Sequence, residues 1–210
     1  APAVVPETAP ETAPAAASTA APAPGPAAGL PAGRVNADAD GALVGRDTEL
    51  AEIGQRLLDP RCRILTLVGP GGIGKTRLAV ALARSLAGRF ADGAVIVSAA
   101  SLGDGGDPAV MLADAIAAQA GVRRGGSYDT GGSLAKALAG REMLLVLDNL
   151  ESVPEAGRLL SALVDGAPAV KVLATSRRRL GGRREWLYEV PGLALTAGDC
   201  GAEMSPAAAL

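Results

Sequence analysis

Apolar residues recur along this chain with two different spacings, and each change of spacing marks an element. Leu50, Ile53, Leu57 and Leu58 fall on one helical face, after Asp47 or Thr48, either of which can cap the first turn, and before Asp59-Pro60, which ends the helix. The run RILTLVG, from Arg63 to Gly69, is instead short, continuously apolar and stopped by glycine, the pattern of a buried strand. A helix over Lys75 to Leu86 follows directly, then a strand at Ala94 to Ser98 and a helix from Ala109 to Gly121, closed by that glycine. GSLAKALAG predicts a shorter helix closed by Gly140. EMLLVLDNLE reads as a strand ending in acids, EAGRLLSALVDGAP as a helix, AVKVLATSR as a strand and WLYEVPGL as a last short strand. Strands alternating with helices predict an α/β fold: a doubly wound, mainly parallel sheet with flanking helices.

The two ends depart from this pattern. Residues 1–40 are Ala, Pro, Thr and Gly with hardly a large apolar side chain, and such a segment cannot bury enough surface to offset its ordering entropy. It is expected to be a disordered, partly polyproline-like linker. The ordered domain is expected over residues 41–195, and 196–210 read as the start of a further segment cut short. The chain opens on Ala rather than Met, which suggests a portion of something longer.

Composition narrows the chemistry. Aromatic residues make up 2% of a chain that is 49% hydrophobic, so the core must be built mostly from Ala, Val and Leu. A net charge of −2 gives no overall positive field to attract nucleic acid or an acidic membrane. Without a single histidine, the usual imidazole base and metal ligand are missing, which removes serine-hydrolase triads and most zinc sites. Cys62 and Cys200 form no C-x-x-C pair, and a reducing cytoplasm is their natural setting. The opening residues lack the basic and apolar regions of a secretory signal, and no apolar run is long enough to span a membrane. A soluble cytoplasmic protein is expected.

The candidate chemistry sits where the first strand meets its helix. GPGGIGKT, Gly69 to Thr76, fits G-x-x-x-x-G-K-[ST] at every defined position. Gly69, Gly71, Gly72 and Gly74 let backbone N–H groups turn inward around phosphate oxygens, and the helix N-terminus adds partial positive charge. Lys75 would reach the β- and γ-phosphates, and Thr76 would hold Mg²⁺. A glycine-rich turn needing only flexibility is the bland alternative. Asp148, after the apolar run of MLLVLD, is a second Mg²⁺ ligand in this reading, where the alternative is a turn residue. Glu151 is the carboxylate near enough in sequence to polarise an attacking water, or else a charge placed for the helix dipole; Asn149 could orient a water but not deprotonate it. Arg177, leaving the strand of KVLATSR, faces the nucleotide if ligands bind at the carboxyl ends of strands. Arg178, Arg179, Arg183 and Arg184 read as a solvated run, since without interleaved aromatics a nucleic-acid signal is weak.

Taken in succession, LVGRDTEL at Leu43, GPGGIGKTRLA at Gly69, LLVLDNLE at Leu144 and VLATSR at Val172 resemble the STAND class of P-loop NTPases, which includes the NB-ARC switch ATPases of bacterial regulators. The resemblance covers about residues 43–193. It implies a P-loop NTPase fold, with Val44 and Arg46 beside the adenine, Lys75, Thr76 and Arg77 at the nucleotide, Asp148 at Mg²⁺ and Arg177 at the sensor position. It further implies a switch in which ADP locks a closed state and ATP permits an open, often self-associating one. Asn149 stands where many NB-ARC members have a second Asp, which agrees with slow turnover. The chain also stops before the helical and winged-helix segments that usually close over the nucleotide.

The expected function is therefore an ATP/ADP-binding switch with slow Mg²⁺-dependent hydrolysis, serving a signalling or transcriptional regulator that reaches DNA only through another domain. A module that binds nucleotide, hardly hydrolyses it and acts by assembly is the second reading. A small-molecule or nucleotide kinase shares the cradle, but no acceptor-binding motif accompanies it.

Overall fold

The computed structural model describes residues 45–103, 105–126 and 129–192. The segment 1–40, Val44 and the stretch 196–210 lie outside the described residues. Helix α1 (Asp47–Leu58) buries Ile53 and Leu57, whereas Leu58, at the margin of the same stripe, is exposed. Its expected cap is not formed. Arg46 occupies the N-cap, and Asp47 and Thr48 already lie inside the helix, too late to accept a bond from the first turn. Asp47 and Glu49 supply acidic charge there instead, which suits the helix dipole. At the other end, Lys171 donates to the carbonyls of Leu57 and Asp59, both at 2.6 Å, satisfying acceptors the helix leaves open.

Strand β1 (Ile64–Val68) leads through the glycine loop into α2 (Lys75–Leu86), followed by β2 (Ala94–Ser98) and α3 (Pro108–Gln119). Asp107 caps α3 by accepting the Ala109 N–H at 2.8 Å, Pro108 fills the first position, and Gly121, at φ +65°, ends the turn beyond it. Helix α4 (Thr130–Leu138) begins two residues earlier than expected, because Asp129 accepts the Gly132 N–H at 2.9 Å. Gly140 does not take a positive φ, so it is not the closing device the sequence suggests. Then come β3 (Leu144–Asp148), α5 (Ala156–Gly166), β4 (Lys171–Ser176) and β5 (Glu185–Glu189).

The strands form one sheet in the order β2-β3-β4-β1-β5, with every neighbouring pair parallel. Alternate residues of each strand serve opposite faces. Leu145, Leu147 and Val172 pack with α3, α4 and α5, while Leu65, Leu144 and Leu173 pack with α1 and α2. The expected doubly wound α/β architecture is thus observed. The buried side chains are chiefly Leu, Val, Ile and Ala, with Phe90 and Tyr188 the buried aromatics among the described residues. Parallel pairing brings the carboxyl ends of the strands to one edge: Val68 lies opposite Ser176, and Leu147 opposite Ala174, so Asp148 emerges level with Thr175.

The connection from β4 to β5 carries the arginine run yet is firmly docked. Ser161 of α5 donates to Gly157 O at 2.7 Å and accepts from Arg183 N at 2.8 Å. Glu185 accepts the Thr66 hydroxyl at 2.8 Å and the N–H groups of Leu180 and Gly181, each at 2.9 Å. Arg178, Arg179, Arg183 and Arg184 are exposed, as a solvated run should be, with Arg184 paired to Asp165 at 3.2 Å. Gly157 and Gly182 meet backbone to backbone: a Cβ on Gly157 would lie 2.5 Å from Leu180 O and 2.6 Å from Gly182 N.

Arg46 is the other joint. It is 3% exposed and donates to Glu49 Oε1 at 2.6 Å, to Pro191 O at 2.8 Å and to Ile73 O at 3.4 Å. One guanidinium so ties the start of α1, the chain leaving β5 and the glycine loop together. The same guanidinium holds the Glu49 carboxyl below the usual carboxylate range.

Two outcomes follow from these contacts. Gly157→Ala should lower the unfolding free energy in urea by about 1–3 kcal/mol, because neither backbone partner can step aside; an unchanged midpoint would show that the connection yields freely. Glu49→Gln should be less stable than wild type at neutral pH. Since Glu49 has a lowered folded pKa, its contribution is present above the ordinary carboxylate value of about 4.3 and is lost as pH falls through the folded value. The two unfolding curves should therefore converge on acidification; a gap that stays constant down to pH about 3 would contradict the Arg46 linkage.

Candidate functional site

The loop from Gly69 to Thr76 is shaped by two glycines in the left-handed region, Gly72 at φ +78° and Gly74 at φ +97°. Gly74 is the N-cap of α2, and the first turn of that helix contains no acidic residue, so its positive end stays uncompensated. Lys75 is buried and folds back over the loop, its Nζ donating to Gly69 O and Pro70 O at 2.8 Å each. The ammonium is thereby fixed at the mouth of the loop.

Asp148 closes β3 beside it. The Thr76 hydroxyl donates to Asp148 Oδ1 at 2.7 Å, and the Thr175 hydroxyl donates to the same oxygen at 2.5 Å. Thr175 in turn accepts the Asn149 N–H at 3.0 Å. Thr175 is not among the site residues that the sequence singles out, yet it touches both Asp148 and Asn149. The available signal was a polar side chain in a buried run, level with the acid of the next strand. A carboxylate flanked by a hydroxyl at the start of the helix suits Mg²⁺, which typically takes one or two carboxylates and fills its remaining positions with phosphate and water. On the β2 side, Thr76 and Asp148 border a cavity of about 620 Å³, walled largely by small side chains such as Ala79, Val80 and Ala115.

Asn149 adopts φ +63°, a conformation Asn tolerates, and starts the short turn Leu150–Ser152. That turn brings Glu151 against Arg177. Nε of Arg177 lies 3.0 Å from Glu151 Oε1, and its backbone N–H donates to Oε2 at 3.3 Å. The guanidinium also reaches the loop, for a Cβ on Gly71 would lie 3.7 Å from Arg177 Nη2.

The structure thus brings Lys75, Thr76, Asp148, Glu151 and Arg177 together around Gly69, Gly71, Gly72 and Gly74. Arg46 touches the loop at Ile73 and is engaged in holding the scaffold. Arg77 is exposed, and two residues beyond Lys75 it points to another side of α2. Val44 lies outside the described residues.

The chain is similar to several known proteins. Residues 42–174 match the family described as the AAA ATPase domain. A Mycobacterium tuberculosis protein named as an HTH-type transcriptional regulator is 35% identical over 142 residues, covering 67% of this chain and 15% of its own length. A second protein of that organism, of uncharacterised function, is 31% identical over 158 residues, covering 74% of this chain and 38% of its own length. The chain therefore spans only a small part of these relatives. Among solved structures, the ORC1 protein of Aeropyrum pernix, determined in complex with DNA, superposes with a TM-score of 0.55 at 21% identity over 75% of this chain and 48% of its own. Cdc6p of Pyrobaculum aerophilum gives 0.51 at 19% identity, over 70% and 45%. Both share the fold. With the family match extending over more than half of its length, this chain belongs to the AAA ATPase domain family, within the P-loop NTPases.

Proposed function

We propose that this chain is the nucleotide-binding switch of a bacterial signalling or transcriptional regulator of the STAND type, binding ATP and ADP with Mg²⁺ and hydrolysing ATP slowly. The observation that carries the reading is the convergence of Lys75 and Arg177 on the Gly69–Gly71 stretch, with Thr76 and Asp148 joined beside it. Lys75 exchanges its carbonyl partners for the β- and γ-phosphates, and the α2 N-terminus supplies further donors. Thr76 and Asp148 hold Mg²⁺, and Thr175 keeps the Asp148 carboxylate in place. When bound, Mg²⁺ neutralises charge on the transferred phosphoryl group. Arg177 senses the terminal phosphate, and Glu151 or Asn149 prepares the attacking water. Arg46, buried beside the loop at Ile73, would border the adenine through the segment it holds in place.

Two features favour a switch over a fast enzyme. Asn149 offers no base, and the Glu151 carboxylate is engaged by Arg177. The same engagement supports the second reading, a module that binds without appreciable hydrolysis and acts by ATP-dependent assembly. A regulatory setting fits the relative named as an HTH-type regulator, in which DNA would be reached through a part not represented here. Among the described residues no helix is long and apolar enough to cross a membrane. A cytoplasmic setting is part of what we propose and rests on the regulatory reading.

Calorimetry with ATP and ADP in the presence of Mg²⁺ tests the proposal. Lys75→Ala should weaken both by several-fold or more, since charge-assisted hydrogen bonds contribute about 1.5–3 kcal/mol each; equal affinities in variant and wild type would remove the phosphate cradle. Asp148→Ala should abolish Mg²⁺-dependent phosphate release, and wild-type turnover should lie well below the roughly 10 s⁻¹ of a dedicated enzyme. Turnover at that rate would contradict the switch.

A further inference from the structure

Arg177 stands between a carboxylate and the glycine loop. Its side chain and its backbone N–H both engage Glu151, while its guanidinium lies on the open side of Gly71, 3.7 Å from where a Cβ would sit. Glu151 is held in that position by backbone geometry. The left-handed Asn149 and the turn that follows it swing the carboxylate toward the exit of β4, and Glu151 keeps 19% of its side chain exposed against 68% for Arg177. Among the described residues, no other carboxylate forms an ion pair with Arg177. Lys75 is fixed by its own carbonyl partners a few residues away on the same loop. Arg177, with 68% of its side chain exposed, is thus a cation beside the cradle that a protein carboxylate retains.

We propose that Glu151 is a specificity-determining residue: its carboxylate and the terminal phosphate of a nucleoside triphosphate compete for the Arg177 guanidinium, so Glu151 sets how strongly the site distinguishes triphosphate from diphosphate. The inference rests on the nucleotide-binding reading above and adds to it a competitor built into the protein. An ion pair with so exposed an arginine is weak, so a phosphate that offers several oxygens to the same guanidinium displaces it readily. The displacement still has to be made. It reduces triphosphate affinity by the strength of the pair, and it leaves diphosphate affinity alone, because a diphosphate has no terminal group to draw Arg177 away. Linkage makes the effect reciprocal: a bound terminal phosphate frees the Glu151 carboxylate, and only then is that carboxylate available to a water at the site.

The test is a double-substitution cycle on the full chain, with Mg²⁺, ADP and a non-hydrolysable ATP analogue as probes, read by calorimetry. Glu151→Gln should tighten the triphosphate analogue by about 1.5- to fivefold, the range expected for an exposed pair, and leave ADP unchanged. In an Arg177→Ala background the same substitution should alter neither affinity, because the object of the competition is gone. Glu151→Asp, which keeps the charge but shortens its reach, should fall between wild type and Glu151→Gln and guards against a local folding effect. An unchanged triphosphate-to-diphosphate ratio in Glu151→Gln, or an equal change with Arg177 absent, overturns the competition while leaving nucleotide binding intact. A wild-type chain that binds neither probe overturns both this inference and the reading it rests on.

Discussion

Asp148 Oδ1 accepts two hydroxyls, one from Thr76 at the start of α2 and one from Thr175 near the end of β4, and on this shared acceptor the geometry of the site depends. Three elements distant in sequence are fixed at a single atom. The arrangement is possible because β3 and β4 are adjacent and parallel, in a register that sets Asp148 beside Thr175, while β1 on the far side of β4 delivers the glycine loop and α2 to the same edge. An antiparallel neighbour would send its chain out at the opposite edge, and the hydroxyl would not meet the acid.

Support for that edge comes from contacts well outside it. Arg46 fastens the loop at Ile73 to the chain leaving β5, and Glu185 fastens the β4–β5 connection to Thr66 of β1. The connection can lie against α5 because Gly157 and Gly182 let two backbones approach where a side chain would collide. In a core nearly without aromatic residues, such polar ties and close approaches add the positional definition that bulky side chains provide elsewhere.

Much of this was legible in the sequence for physical reasons. Strands buried on both faces are short continuous apolar runs, so β1, β3 and β4 stand out, and α2 and β2 match the expected bounds residue for residue. The loop was legible because its glycines and Lys75 serve a backbone requirement that is local. What could not be read is what depends on spatial neighbours. The order β2-β3-β4-β1-β5 is not the chain order, so the meeting of Thr175 with Asp148 and of Glu151 with Arg177 follows only from topology. Arg46 sits in a motif assigned to the adenine, yet its hydrogen bonds go to Glu49, Ile73 and Pro191, the last nearly the whole domain away in sequence. Two helix starts differ from the expected ones: Asp129 draws α4 back to Thr130 by a cap bond, whereas α1 begins with no side-chain cap and takes the expected capping residues into its first turn.

The central claim is that the carboxyl edge of this sheet is a phosphate site assembled from β1, β3 and β4. Amide hydrogen exchange with and without ADP and Mg²⁺ tests it most directly, since it reports on each segment separately. The account predicts slowed exchange in peptides covering 69–77 and at the strand exits around 148–151 and 175–177, with α4 and the far end of α5 unaffected. Unchanged exchange over 69–77, or protection confined to the α4–α5 face, would contradict it.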